Sequence, residues 1–234
     1  MRKVVRLLGT LMIVAGLGML AWAITIWQWQ DPFTAAFQRY EQRKLEQRFE
    51  RQIDLVERRP VVDSTTSNAS AVQREVARQA TAWRKASGEG DAIARLRVPS
   101  LGVDEIMVNG TQTDTLKRGP GRYRGSYMPG EGELVYVAGH RTTYGAPFSR
   151  IDRMKKGDTV FVELPYATFK YVVTGYRIVP ANKVSELNSR GYEQLALQAC
   201  HPRFFATERY IVYAKPVSIT PRGAKQSSPY APET

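Results

Sequence analysis

From Leu7 to Trp29 the chain reads LLGTLMIVAGLGMLAWAITIWQW, a run without one charged residue. As a helix, a run of this length spans about 30 Å of hydrocarbon. It is therefore predicted to cross a membrane, and it is taken out of any globular core. Arg2, Lys3 and Arg6 precede the run, and the positive-inside rule keeps such an end in the cytoplasm. Trp22, Trp27 and Trp29 suit the opposite interface, where indole rings settle among headgroups. Residues 1–6 read as a cytoplasmic basic end and 7–29 as a single-pass anchor, with everything that follows outside the cell. A cleavable signal peptide competes, because Ala21-Trp22-Ala23 has the small-x-small form of a cleavage site. Signal peptides carry an apolar core of only about 7–15 residues, so the length favours an anchor.

Residues 30–91 read as a juxtamembrane helix and linker. The stretch FTAAFQRYEQRKLEQRFERQIDLVERRP is rich in helix formers, places Leu45, Phe49, Ile53 and Val56 on one narrow stripe, and stops at Pro60. A short coiled coil, a membrane-surface helix and a plain stalk all fit that stripe. Ser, Thr, Ala and Gly then dominate, with a helix expected from Ala71 to Lys85 inside the linker. Asn68-Ala69-Ser70 matches the glycosylation pattern.

From residue 92 the pattern turns to β. AIARLRVPSLGVDEIMVNG gives two short strands broken at Pro99 to Gly102, and GELVYVAGH gives a strand running into His140. TVFVEL, TFKYVVTGYRIV, YEQLALQAC and ERYIVYAKPV follow as further strands. APFSRIDRMKKGD places Phe148, Ile151 and Met154 at helical spacing. Many short strands with one or two short helices predict a mainly β fold, a closed or nearly closed barrel over 92–220. Residues 221–234 read as a tail.

The formal charge of +12 is spread over the chain rather than gathered in a basic run. For a domain outside the cell this argues against nucleic acid, and it suits anionic envelope polymers or lipid headgroups. Cysteines outside the cytoplasm usually pair, yet Cys200 is the only one in the chain. It is either an inert core residue or a nucleophile. In an extended strand Cys200 shares a face with Gln198 and Ala196 but not with His201. His140, at the end of its own strand and followed by the polar loop RTTYGAPF, is the better base. A nearby imidazolium favours the thiolate, the attacking species. Attack on an amide puts charge on the carbonyl oxygen, which calls for a donor. Arg209, which begins the returning strand, is preferred to Arg203 in the turn.

GHRTTYGAPFSRID, the cysteine in LQACHPRF and the arginine nine residues after it together resemble a sortase, most closely the actinobacterial class E. The resemblance spans roughly residues 93–218. It implies an eight-stranded barrel with Cys200 as nucleophile, His140 as acid and base, and Arg209 for oxyanion stabilisation and substrate positioning. It implies a membrane-anchored cysteine transpeptidase that cleaves an LPXTG-type sorting signal between Thr and Gly. The acyl group then passes to an amine of cell-wall precursor or of a pilin. Class E favours LAXTG-like signals. No cofactor or metal is implied, and a calcium requirement is left open. One departure stands out: the family's Thr-Leu-X-Thr before the cysteine is Ala196-Leu197-Gln198-Ala199 here. Loss of the hydroxyl at Ala199, next to the nucleophile, is expected to alter substrate or oxyanion contacts. The competing reading without catalysis is a tethered β-domain that binds wall polymer or a partner protein.

Overall fold

The apolar run lies within one continuous helix, α1 (Arg2–Trp29). Its segment Arg2–Ile24 is long and apolar enough to cross a membrane, and every residue in it is exposed. The computed structural model describes residues 2–29, 32–57, 69–222 and 228–230. The expected helix stop at Pro60 and Asn68 of the glycosylation pattern lie outside the described residues, as do the side chains of Trp27, Trp29 and Val56.

Helix α2 (Pro32–Glu57) carries the expected stripe, but the stripe has a partner that none of the three expectations included. Leu45 and Phe49 are fully buried against Ala92, Ile106 and Val108, with Ile53 packed alongside. A narrow apolar stripe needs one partner surface, and the barrel wall supplies it. Burying a Leu and a Phe contributes roughly 1.5–3 kcal/mol each. Gln42 fastens the same face: its Oε1 accepts from the Ile106 N–H at 2.7 Å, and its Nε2 donates to Ile106 O at 2.9 Å and Arg118 O at 2.8 Å. Helix α3 (Ala69–Ala86) is likewise docked rather than a free linker. Val76 and Ala80 join the main core, Trp83 Nε1 donates to Ile93 O at 3.1 Å, and Arg84 pairs with Glu131 at 2.9 Å.

The strands are β1 (Ala92–Val98), β2 (Val103–Asn109), β3 (Gly121–Arg122), β4 (Leu134–Ala138), β5 (Thr159–Glu163), β6 (Ala167–Pro180), β7 (Gln194–His201) and β8 (Glu208–Pro221). They pair in the order β6-β5-β1-β2-β3-β4-β7-β8, and β8 pairs back with β6. That last ladder closes an eight-stranded barrel. Alternate residues point inward, so Val135, Val137, Leu195, Leu197, Ala199, Tyr210 and Val212 all join the main core. Residues 228–230, within the expected tail, return to the barrel. Strand β9 (Ser228–Pro229) pairs with Ser218 and Ile219 of β8, and Tyr230 packs against the main core.

Two local expectations change in detail. Phe148, Ile151 and Met154 are buried, but they frame a 3-10 turn, Ile151–Arg153, rather than an α-helix. A spacing of three matches the three-residue period of a 3-10 turn. Strand β4 stops at Ala138, so His140 stands just beyond it.

Candidate active site

Cys200 and Arg209 are register partners across the antiparallel β7–β8 ladder. Directly opposed residues point to the same face. Their face is the one away from the core, since Ala199 and Tyr210, the next residues inward along each strand, both join the interior cluster. On the outer face Leu134, Tyr136, Ala196, Ile211 and Tyr213 form a second buried cluster beside the pair. Arg209 is held from below: its Nη1 donates to Ala206 O at 2.8 Å and to Glu208 O at 2.9 Å. Its charge reaches Tyr136, where it opposes the upward push that burial gives the phenol. Arg203 is exposed in the return loop.

His140 arrives from the neighbouring strand. β4 and β7 run parallel, Ala138 is in register with Gln198, and Gly139 N–H donates to Gln198 O at 2.9 Å. His140 and Cys200 each lie two residues beyond that pair, so the ladder's direction carries both to the same end of the barrel. Gly139 is needed there, because a Cβ would sit 2.6 Å from the buried Phe148 ring. His140 lies below its ordinary pKa of 6.5, chiefly because burial disfavours the imidazolium, with Lys117 adding to the effect. Its Nε2 is buried and has no hydrogen-bond partner among the described residues. Tyr144 covers the ring at 5.2 Å between centroids. Three successive left-handed residues, Tyr144, Gly145 and Ala146 with φ of 50°, 69° and 40°, put it there. At Gly145 a Cβ would meet Gln38 of α2 at 2.6 Å.

His201 is on the other face, as strand alternation requires. Its Nδ1 lies 2.7 Å from Arg141 Nη1, and Nε2 is 4.0 Å from Glu208. Arg141 is one residue that sequence reasoning missed, although it stands inside the GHR motif. It is only 4% exposed, donates to Cys200 O at 3.3 Å, and pairs with Asp152 at 3.0 Å. One guanidinium thus ties the loop carrying His140 to the backbone of Cys200. A second missed residue is Glu186, in the 3-10 turn Val184–Leu187 between β6 and β7. It accepts from Tyr213 Oη at 2.6 Å and pairs with Arg190 at 3.1 Å, which fastens that loop over the outer cluster.

The two replaced threonines separate in space. Ala199 is fully buried inside the barrel, so its side chain is turned away from Cys200's face, contrary to the expectation of lost substrate contacts there. Ala196 is on the outer face with Tyr136 and Tyr213. Among the described residues no group of three or more His, Cys, Asp or Glu side chains gathers to hold a metal ion.

A thiol, an imidazole that burial holds neutral and a guanidinium at one end of a closed barrel form a set suited to acyl transfer. Comparison with known proteins gives the family. The sortase domain family matches residues 96–217, more than half of the chain. Sortase D of Bacillus subtilis (strain 168) is 30% identical over 168 residues, covering 70% of this chain and 80% of its own. The crystal structure of sortase E1 from Streptomyces coelicolor with a tripeptide in the active site is 27% identical. It superposes with a TM-score of 0.55 over 60% of this chain and 97% of that one. Sortase E from Streptomyces avermitilis is 32% identical with a TM-score of 0.53 over 59% and 96%. Together with the closed barrel and the arrangement at its end, these matches show that the chain belongs to the sortase family.

Proposed function

We propose that this protein is a membrane-anchored sortase whose nucleophile is Cys200, with His140 as acid and base and Arg209 as the oxyanion donor. The observation that carries the reading is the register pair Cys200–Arg209 on the outer face, with His140 equally far beyond the adjoining parallel ladder. The substrate is a sorting signal of the LAXTG or LPXTG type on a surface protein or pilin. The imidazole of His140 takes the thiol proton, and Sγ attacks the Thr carbonyl carbon of the Thr–Gly bond. Negative charge grows on the carbonyl oxygen, where the Arg209 guanidinium lowers its energy. As the tetrahedral species collapses, the Gly amine leaves with the proton from His140, and a thioester remains on Cys200. An amine of cell-wall precursor or of a pilin then attacks that thioester, gives its proton to His140, and leaves as the new amide while the thiol is restored.

Within the family we assign the chain to class E, with Ala favoured at the second signal position. The 32% identity to the S. avermitilis sortase E supports this, as does the 31% identity to the S. coelicolor relative over 97 residues. Ala196 beside Tyr136 and Tyr213 on Cys200's face is the position at which this chain's own side chains differ. The anchor is α1, with the basic N-terminus in the cytoplasm and the barrel outside.

The test incubates the full chain in detergent with LAXTG and LPXTG peptides and an amine acceptor, and weighs both protein and products. An acyl adduct on the protein and a transfer product are expected, with LAXTG turning over faster, and both disappear in Cys200→Ala. An adduct that survives in Cys200→Ala sinks the assignment of the nucleophile. Faster turnover of LPXTG sinks class E. Protease added to intact protoplasts is expected to remove the barrel, and its protection would overturn the topology.

A further inference from the structure

Helix α2 has two opposed faces. Gln38, Gln42, Leu45 and Phe49 turn to the barrel, and Gln38 Nε2 donates to Glu105 of β2 at 2.9 Å. Phe33, Phe37 and Tyr40, spaced by four and three, share the other side of the helix. They are 73%, 46% and 59% exposed, so the barrel, which touches the Phe37 edge of this aromatic stripe, leaves most of it to the surroundings. Arg39 and Arg43, also exposed, flank it. Lys44 holds its ammonium 4.0 Å above the Tyr40 ring. Aromatic rings bordered by cationic side chains are the composition of a helix lying in a membrane interface.

What covers the stripe follows from where it begins. Only Gln30 and Asp31 separate α2 from α1. The Phe33 ring is 6.0 Å from Trp22, which lies inside the apolar segment Arg2–Ile24. The first turn of α2 is therefore level with the last turn of that segment. On the reading that α1 is a membrane anchor, we propose that the first turns of α2 lie on the outer bilayer surface. Phe33, Phe37 and Tyr40 are immersed among the headgroups, and Arg39 and Arg43 face anionic lipid phosphates.

This docking reaches the candidate active site. Thr34 Oγ1 accepts from the Tyr144 N–H at 3.0 Å, and the Phe37 ring packs edge-on against Tyr144 at 6.3 Å. Tyr144 in turn covers His140. The turns that rest on lipid thus also hold the loop of His140, and the candidate site is carried at the bilayer surface.

The test uses the full chain in vesicles of phosphatidylglycerol and phosphatidylcholine, with Cys200→Ala removing the only native thiol. Nitroxide labels are placed through Tyr40→Cys, Arg51→Cys or Leu11→Cys, and their accessibility to oxygen and to a neutral nickel chelate is read by electron paramagnetic resonance. The label at 40 is expected to be shielded from nickel several-fold more than the label at 51, and the label at 11 more still. Equal nickel access at 40 and 51 with position 11 shielded overturns the docking and leaves the anchor standing. Nickel access at 11 overturns the anchor and this inference with it. Because Tyr40 touches Lys44, Phe37→Cys repeats the measurement, and nickel access at 37 equal to that at 51 likewise overturns the docking. In vesicles of phosphatidylcholine alone, access at 40 is expected to rise, and no rise overturns the phosphate contacts.

Discussion

Arg209 and Arg203 differ in what holds them. Two carbonyls fix the Arg209 guanidinium opposite Cys200, whereas Arg203 is exposed in a loop. A donor stabilises an oxyanion usefully only when it need not reorganise during the reaction. Arg209→Ala is therefore expected to lower kcat by roughly a hundred- to a thousand-fold, about 2.7–4 kcal/mol, with the thiol still open to alkylation. Arg203→Ala is expected to stay within a few-fold of wild type. Steady-state kinetics on an LAXTG peptide check both, and the reverse order would refute the assignment. His140 offers a separate readout. Burial first and Lys117 second disfavour its imidazolium, so the neutral form that the proposed proton transfer needs persists to lower pH. Lys117→Met removes the repelling charge and is expected to move the acid limb of the kcat/KM profile to higher pH. An unmoved limb would mean that Lys117 does not act on His140.

At the scale of elements, α2 joins the apolar helix α1 to the barrel, and its docked face meets a carboxyl whose ionisation burial disfavours. Burial pushes the Glu105 carboxyl up to about 7, with Asp104 adding to the rise and the Gln38 hydrogen bond opposing it. The folded protein therefore binds more protons than the unfolded chain between 4.5 and about 7. The associated stability is full below the lower value and is lost as pH rises through the upper one. Glu105→Gln keeps the shape without the charge. It is expected to raise Tm at pH 8 by an amount worth at most about 3 kcal/mol, with little effect at pH 4.5. Thermal unfolding of the full chain in detergent at the two pH values checks this. A uniform shift at both would show that the carboxylate's charge is not involved.

Over the whole molecule, barrel closure by β6–β8 and the return of the C-terminal segment meet at one buried carboxylate. Glu193 is 5% exposed, and burial raises its pKa. Its oxygens accept from Tyr171 Oη at 2.6 Å, Gly130 N at 2.9 Å and Tyr230 Oη at 3.0 Å. Tyr230→Phe removes one donor from a buried acceptor and is expected to cost about 1–3 kcal/mol. A denaturant midpoint that does not move would show that the terminal segment contributes nothing to the closure of the barrel.

Read alone, the amino-acid sequence was enough for the apolar helix, the strand content and the motif set GHR, Cys and Arg. Each of these rests on local signals: absence of charge, period-two alternation, and order along one chain. It also placed Arg209 opposite Cys200, because an antiparallel return over a short loop nearly fixes its own register. Tertiary structure alone decided what α2 leans on, since one apolar stripe fits a coiled coil, a lipid surface or a barrel wall equally well. It decided the role of Arg141, whose ties to Cys200 and Asp152 span distant parts of the chain. It set Ala199 inside the barrel and Ala196 outside, a distinction that depends on which face the closed sheet encloses. It also returned residues 228–230 to β8, because a strand of two residues has no periodicity to read and gains its ladder only where an edge is already waiting.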